Sequence, residues 1–235
     1  MVSATSPGSP PGAPSANPLD LLLCTRTAGY RHASIEASVD ALLDLARAEG
    51  WTFTHSEDSA SFDLERLTRH HAVVLMNSTG DFLNAAQRSA FETYVARGGG
   101  VVAVHAAAVI EFEWPFYESL IGARFRNHPE PQRGVVRIED RDHPATQALP
   151  EVWDWHEEWY NFAPNPREKV RVLASADEST YRGGTMGDHP LVWCHERLGG
   201  RSFYTGLGHD SAAYSDQRFM AHLAGAIRWA ARKPR

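Results

Sequence analysis

Twelve histidines are spread through this 235-residue chain. Imidazole is both the general base of neutral-pH chemistry and the commonest metal ligand. Three of the twelve stand out by position. His32 lies in the loop GYRHAS, after the apolar run LDLLLCT (19–25). His105 comes directly after VVAV (101–104), and His209 with Asp210 follows RSFYTGLG (201–208). All three sit where a strand should end. One such histidine usually bonds only a backbone group; three at strand ends point to a shared edge.

His105 is followed by Ala106, Ala107 and Ala108. A sharp turn flanked by small residues is where α/β enzymes lift a nucleophile above the sheet. Here that place holds imidazole, which serves as base, acid or metal ligand. The two cysteines, Cys24 and Cys194, fall in apolar runs and read as buried thiols. A Ser or Cys triad hydrolase is therefore disfavoured.

The segment WHEEWYNF (155–162) sets His156, Glu157, Glu158 and Tyr160 among Trp155, Trp159 and Phe162. Carboxylates among rings should have raised pKa values, which suits acid–base work. Rings and acids together also suit a sugar, the faces stacking on C–H surfaces and the acids bonding hydroxyls. An amphipathic surface strand with wet carboxylates fits the same pattern. In a strand, Glu157 and Glu158 would face opposite sides. That argues against a retaining glycosidase, whose two carboxylates lie ~5 Å apart.

The elements that must position these residues alternate along the first half. Strands are expected at 19–25, 51–56, 71–76 and 101–104. Between them come a helix with Ile35, Val39, Leu42, Leu43 and Ala46 on one face and another over 84–97. Ser34 and Asn84 are their expected N-caps; Gly50 and Gly98–Gly100 end them. This order predicts an α/β fold with a doubly wound, mainly parallel sheet. Ligands then sit outside the carboxyl ends of the strands, in loops 29–34, 77–82 and 105–112. The second half reads as further strands at 135–140, 170–175, 191–195 and 201–208, then a closing helix with Phe219, Leu223 and Ile227. We read it as an antiparallel extension within a single domain, 19–235. Residues 1–18, rich in Pro, Ser, Gly and Ala, are expected to be a disordered tail.

Composition removes several classes of function. Lys+Arg 23 against Asp+Glu 29 gives a net charge of −6, unlike a phosphate-tracking nucleic-acid binder. No apolar run approaches a membrane span, and no secretory signal is visible, so a cytoplasmic protein is expected. GGG (98–100) precedes a strand and GGTMG (183–187) opens no helix, so no nucleotide cofactor is indicated. No HxxxH or HExxH pair occurs, so any metal ligands must come from distant loops. HPE (128–130), DHP (142–144) and DHP (188–190) read as turns, and His55, His70, His71, His143, His195 and His222 as structural.

Several of these segments together resemble one family. GYRHASI (29–35), GGGVVAVHAA (98–107), the His128–Pro129 step, DRDHPATQALP (140–150), EEWYNF (157–162), DESTYRGGTMGDHPLVWCHE (177–196) and GGRSFYTGLGHD (199–210) are similar to the ThuA-like, or trehalose-utilisation, family. The resemblance runs from about Leu19 to Ala231. It implies a flavodoxin-like fold of the class I glutamine amidotransferase type, with His105 at the place of the nucleophilic Cys. It also implies bacterial disaccharide use, including trehalose, sucrose and their 3-keto derivatives. On the matching motifs it assigns His32, His105, His128, Glu158, Tyr160, His189, His209 and Asp210 to the site. Where the family motif reads DEWY, Glu157 stands here; where an acid and a hydroxyl residue follow HAA, Val109 and Ile110 stand here. Both changes are expected to remove polar groups near the pocket.

The resulting expectation is an enzyme acting on a disaccharide or glycoside, or its keto derivative. His105, His209 and Glu158 would be the catalytic acid–base groups, or the ligands of zinc or a similar divalent ion. His32, Tyr160, Asp210, His128, Trp159 and His189 would hold the sugar. The small-molecule carbohydrate is the expected partner, with homo-oligomerisation left open. The rival readings are a carbohydrate-binding or regulatory module without turnover, and an amidotransferase-like hydrolase that lacks its nucleophile.

Overall fold

The computed structural model describes residues 18–232. Most of the tail expected to be disordered lies outside them. The first half follows the expected alternation. Strand β1 (Asp20–Cys24) leads to helix α1 (Ile35–Glu49), then β2 (Thr52–Ser56), a short α2 (Leu64–Leu67) and β3 (Ala72–Met76). Helix α3 (Ala85–Ala96) and β4 (Gly100–Val104) complete the half. β3 and β4 are buried along their whole length, which is why both read as continuous apolar runs.

The second half holds α4 (Pro115–Ile121), β5 (Arg124–Asn127), β6 (Gln132–Ile138), β7 (Val152–Glu157) and β8 (Asn161–Ala163). It closes with β9 (Arg171–Asp177), β10 (Pro190–His195), β11 (Ser202–Thr205) and α5 (Gln217–Ala230). One nine-stranded sheet has the order β2-β1-β3-β4-β11-β10-β9-β6-β7, and β5 pairs with β8 in a separate small ribbon. The five strands from β2 to β11 are mutually parallel and the last four antiparallel. The fold is thus α/β with a large, mostly parallel sheet and an antiparallel extension. β11 departs from expectation. It belongs to the parallel half, beside β4, so the loop after it emerges next to His105. The chain order in the parallel half reverses at β1, with β2 on one side and β3 on the other, and ligands favour the crevice at such a reversal.

Local chemistry explains the helix ends. The Asn84 side chain accepts from the Gln87 N–H while the Gln87 side chain accepts from the Asn84 N–H, a reciprocal cap on α3. Gly50 ends α1 in the left-handed region at φ 70°. Ser34 does not cap α1 as expected; its hydroxyl instead accepts a hydrogen bond from Asn77 Nδ2 at 3.1 Å. Core packing covers both sheet faces, with Leu42 and Ala46 of α1 and Phe219, Leu223 and Ile227 of α5 on one side and Phe91 and Val95 of α3 on the other. Among the described residues no helix is long and apolar enough to cross a membrane.

Candidate functional site

The sheet delivers its loops to one edge. Loop 25–34 follows β1, loop 77–84 follows β3, the turn His105–Val109 follows β4, and Gly206–Asp210 follows β11. Isolated parallel bridges, Thr27 with Thr79 and Gly80 with Ile110, carry the strand pairing outward into these loops. Asn77 ties three of them together. Its Nδ2 donates to Ser34 Oγ, to Gly208 O at 3.2 Å and to Tyr214 Oη at 3.2 Å.

His105 has φ 49°, a left-handed backbone that costs a non-glycine residue on the order of 1–3 kcal/mol. Neighbours hold it there. Tyr204 Oη donates to the His105 carbonyl at 3.0 Å, and His105 Nδ1 lies 3.0 Å from Gly206 O. A carbonyl only accepts, so Nδ1 carries the proton and Nε2 is left with its lone pair. That Nε2 is 3.3 Å from Glu158 Oε2 and 3.3 Å from His209 Nδ1. His209 Nδ1 is in turn 3.3 Å from Glu158 Oε2. His32 closes the group, its ring edge-on to His105 at 5.1 Å and to His209 at 5.4 Å. The three strand-end histidines therefore share one site.

Their charges are coupled. Burial alone would raise the Glu158 pKa, but the imidazoles of His105 and His209 beside it outweigh burial and hold the carboxyl well below the usual range. Burial disfavours charge on His209, yet the hydrogen bond and charge of Glu158, with Glu157 and Asp210, raise its pKa on balance. His32 is pushed down to about 3, by burial and then by His105 and His209. Its Nδ1 is buried with no hydrogen-bond partner. His128, on the open side, places Nδ1 3.1 Å from Glu158 Oε1 and lies over the Tyr160 ring at 5.6 Å.

Above the cluster lies a cavity of about 520 Å³. Tyr30, Phe125 and Tyr160 give it ring surfaces, and His32, His128, Glu158 and His209 polar ones. A larger surface hollow of about 620 Å³ lies between α2 and α3, but its lining carries no histidine, so the histidine cluster opens on the smaller one.

Two expected sugar contacts do not reach this cavity. Trp159 is fully buried, stacked on Tyr181 at 4.7 Å, with Nε1 donating to Gln132 O at 2.9 Å. His189 is also buried. Its Nδ1 faces Glu178 Oε1 at 2.8 Å and its Nε2 the Tyr160 carbonyl at 2.9 Å, so it anchors the backbone of a cavity residue. A third, Asp210, does not line the cavity either; it lies 2.6 Å from His156 Nδ1, with its other oxygen 3.9 Å from His209 Nε2.

The residue most underrated in the sequence is Glu157. β7 ends there, so Glu157 and Glu158 do not alternate across a strand and both are buried. Glu157 accepts four N–H groups, from Gly208 at 2.8 Å, His209 at 3.1 Å, Glu158 at 2.9 Å and the Trp155 indole at 3.1 Å. The change from the family's DEWY motif thus leaves a polar group that fastens the His209 loop to Glu158. Burial raises its pKa, against the lowering effect of His105 and these N–H donors. Glu111 does similar work at the next loop. It is buried at φ 51°, accepts from Phe82 N and Leu83 N at 2.8 and 2.7 Å, and pairs with Arg88. Tyr30, Thr79, Gly80 and Phe125 also line the cavity; only the loop positions of the first three were signalled by the sequence. Val109 lines the wall as an apolar group, as its side chain implies, while Ile110 is buried.

Comparison with known proteins agrees with this architecture. A putative ThuA-like protein from Bacteroides uniformis is 27% identical, with TM-score 0.79 over 94% of this chain and 95% of that one. One from Parabacteroides merdae is 25% identical, with TM-score 0.74 over 92% and 90%. A glutamine amidotransferase from Thermotoga maritima, 11% identical, shares the fold at TM-score 0.53 over 90% and 83%. No curated protein matches the sequence. The sequence model of the family ThuA, described as trehalose utilisation, matches residues 20–230, and the chain belongs to that family.

Proposed function

We propose that this protein is an enzyme acting on a carbohydrate, a disaccharide or glycoside or its 3-keto derivative. The observation that carries the reading is the cavity in which Tyr30, Phe125 and Tyr160 meet His32, Glu158 and His209, with His105 fully buried against the last two. Ring faces supply stacking surface for sugar C–H groups, and the polar floor supplies groups that move protons. The family description, trehalose utilisation, supports the same substrate class.

A 3-keto sugar suits this floor. The proton on carbon 2 is acidified by the adjacent keto group. Glu158 or an imidazole of the cluster accepts that proton, the electron pair forms the C1–C2 double bond as the C1–O glycosidic bond breaks, and His128 protonates the leaving oxygen. Glu158, His105 and His209 stand together at the reacting end, and His128 offers an exchangeable proton on the open side. His32 and Tyr160 orient hydroxyls. Hydrolysis of the same bond draws on the same groups. Buried free Cys24 and Cys194 suit a reducing compartment such as the cytoplasm.

The test is product analysis after incubation with 3-keto-trehalose and with trehalose, for wild type and His105→Ala. Turnover lost in the variant is expected. Val109 in the cavity wall favours a second reading, a carbohydrate-binding module. Sugar binding with no product between pH 4 and 9, roughly the range where carboxylates and histidines titrate, would establish that reading instead.

A further inference from the structure

The cluster has a geometry that a sugar site alone does not require. His105 Nε2, His209 Nδ1 and Glu158 Oε2 form a triangle with all three sides 3.3 Å. A tetrahedral ion with bonds of about 2.0–2.1 Å holds its ligand atoms about 3.3–3.4 Å apart, because a tetrahedron's edge is about 1.63 bond lengths. The His105 lone pair is aimed into this triangle, since its other nitrogen is committed to Gly206 O. Such a carbonyl partner on the far nitrogen is the usual support of a metal-bound imidazole. The remaining donors are supported as well. Glu157 fastens the His209 backbone, and His128 meets the second oxygen of Glu158.

We infer that His105, His209 and Glu158 form a binding site for one divalent cation of the zinc class, with its open coordination position facing the cavity. Two imidazoles and a carboxylate in a tetrahedral arrangement suit zinc better than magnesium or calcium, which take six or more oxygens. His32 stands at the open position. It offers a ligand atom within 4.8 Å of the other three, and its Nδ1 is buried without a partner. It is placed to join the ion or to hold a water or sugar oxygen bound there. The inference shares its site with the proposed carbohydrate chemistry, yet it does not need the substrate to be a sugar.

The test uses the full chain, purified without nickel, stripped with chelator and titrated with Zn²⁺ and with Co²⁺. One ion per chain is expected, with the intense visible absorption of tetrahedral Co²⁺. His105→Ala, His209→Ala and Glu158→Gln should each weaken binding at least tenfold, the lower end of the roughly 10- to 100-fold seen even for residues that only support a ligand. His55→Ala, on the exposed strand β2, should leave stoichiometry unchanged. Thermal melts of the apo forms identify any variant that fails to fold, and the remaining variants carry the test. Zero stoichiometry in the stripped wild type, or equal affinity in wild type and all folded site variants, overturns the inference. Zero stoichiometry together with full sugar turnover by the metal-free protein would overturn the inference and leave the carbohydrate reading intact. Metal bound as expected with no sugar converted would leave the metal site standing and remove the substrate.

Discussion

Glu157 illustrates how one buried carboxylate sets a site without facing its cavity. Gln at this position has a single acceptor oxygen, so its amide N–H₂ must confront part of the four-donor set now shared by two carboxylate oxygens. Glu157→Gln is therefore expected to cost about 1–3 kcal/mol of stability, measured by denaturant unfolding, and to loosen His209. Tyr30 makes the opposite case. It is 71% exposed at the cavity rim, so Tyr30→Ala should leave stability within about 0.5 kcal/mol. Loss of its stacking face should weaken sugar binding about threefold to tenfold, read by calorimetry, in line with ~0.5–1.5 kcal/mol for a ring contact. At this scale His32, His105 and His209 were legible because strand ends converge in a wound sheet. Glu157 was not, since burial in a tight turn cannot be told from strand alternation. Trp159 was misread for a related reason, as an aromatic beside an acid packs inward as readily as outward.

Between elements, the loops at the sheet edge are held by backbone approach as much as by side chains. Gly80 has φ 75°, and a Cβ there would meet Gly29 N at 2.8 Å and the Ala28 carbonyl carbon at 2.9 Å. Gly80→Ala is thus expected to destabilise the fold, by on the order of 1–3 kcal/mol from backbone strain, and to deform the cavity wall. Gly225, inside α5, tests the balance of two effects. Alanine in a helix interior gains about 1 kcal/mol over glycine. Here its Cβ would collide with the backbone of Pro144 and Ala145, which cannot rotate away, so Gly225→Ala should lower the melting temperature despite its better propensity. The strands and long helices of the first half were readable from periodicity and caps. The parallel pairing of β11 with β4 was not, because a strand's apolar pattern does not name its neighbour.

Across the whole molecule, buried neutral histidines link stability to pH. His143, His195 and His222 are each held down to about 4, chiefly by burial. The unfolded chain binds a proton at each near pH 6.5, and the folded chain only near 4. Their contribution is complete above about pH 6.5 and is lost as pH falls towards 4. Urea midpoints should decline across that window, and His222→Gln should flatten the slope, since His222 is fully buried between Ala145 O and Thr205 Oγ1. A flat midpoint in wild type would contradict this account. Sequence alone determined the α/β class, the winding of the first half, the strand-end placement of three histidines and the absence of a cysteine at the nucleophile's place. Those properties follow from short-range periodicity and from residue identity. Tertiary structure decided that β11 sits beside β4, that Glu157 binds the loop of His209, and that three donor atoms stand 3.3 Å apart. Such distances arise from contacts between segments far apart in the chain, where packing and hydrogen bonding, not local pattern, choose the partner.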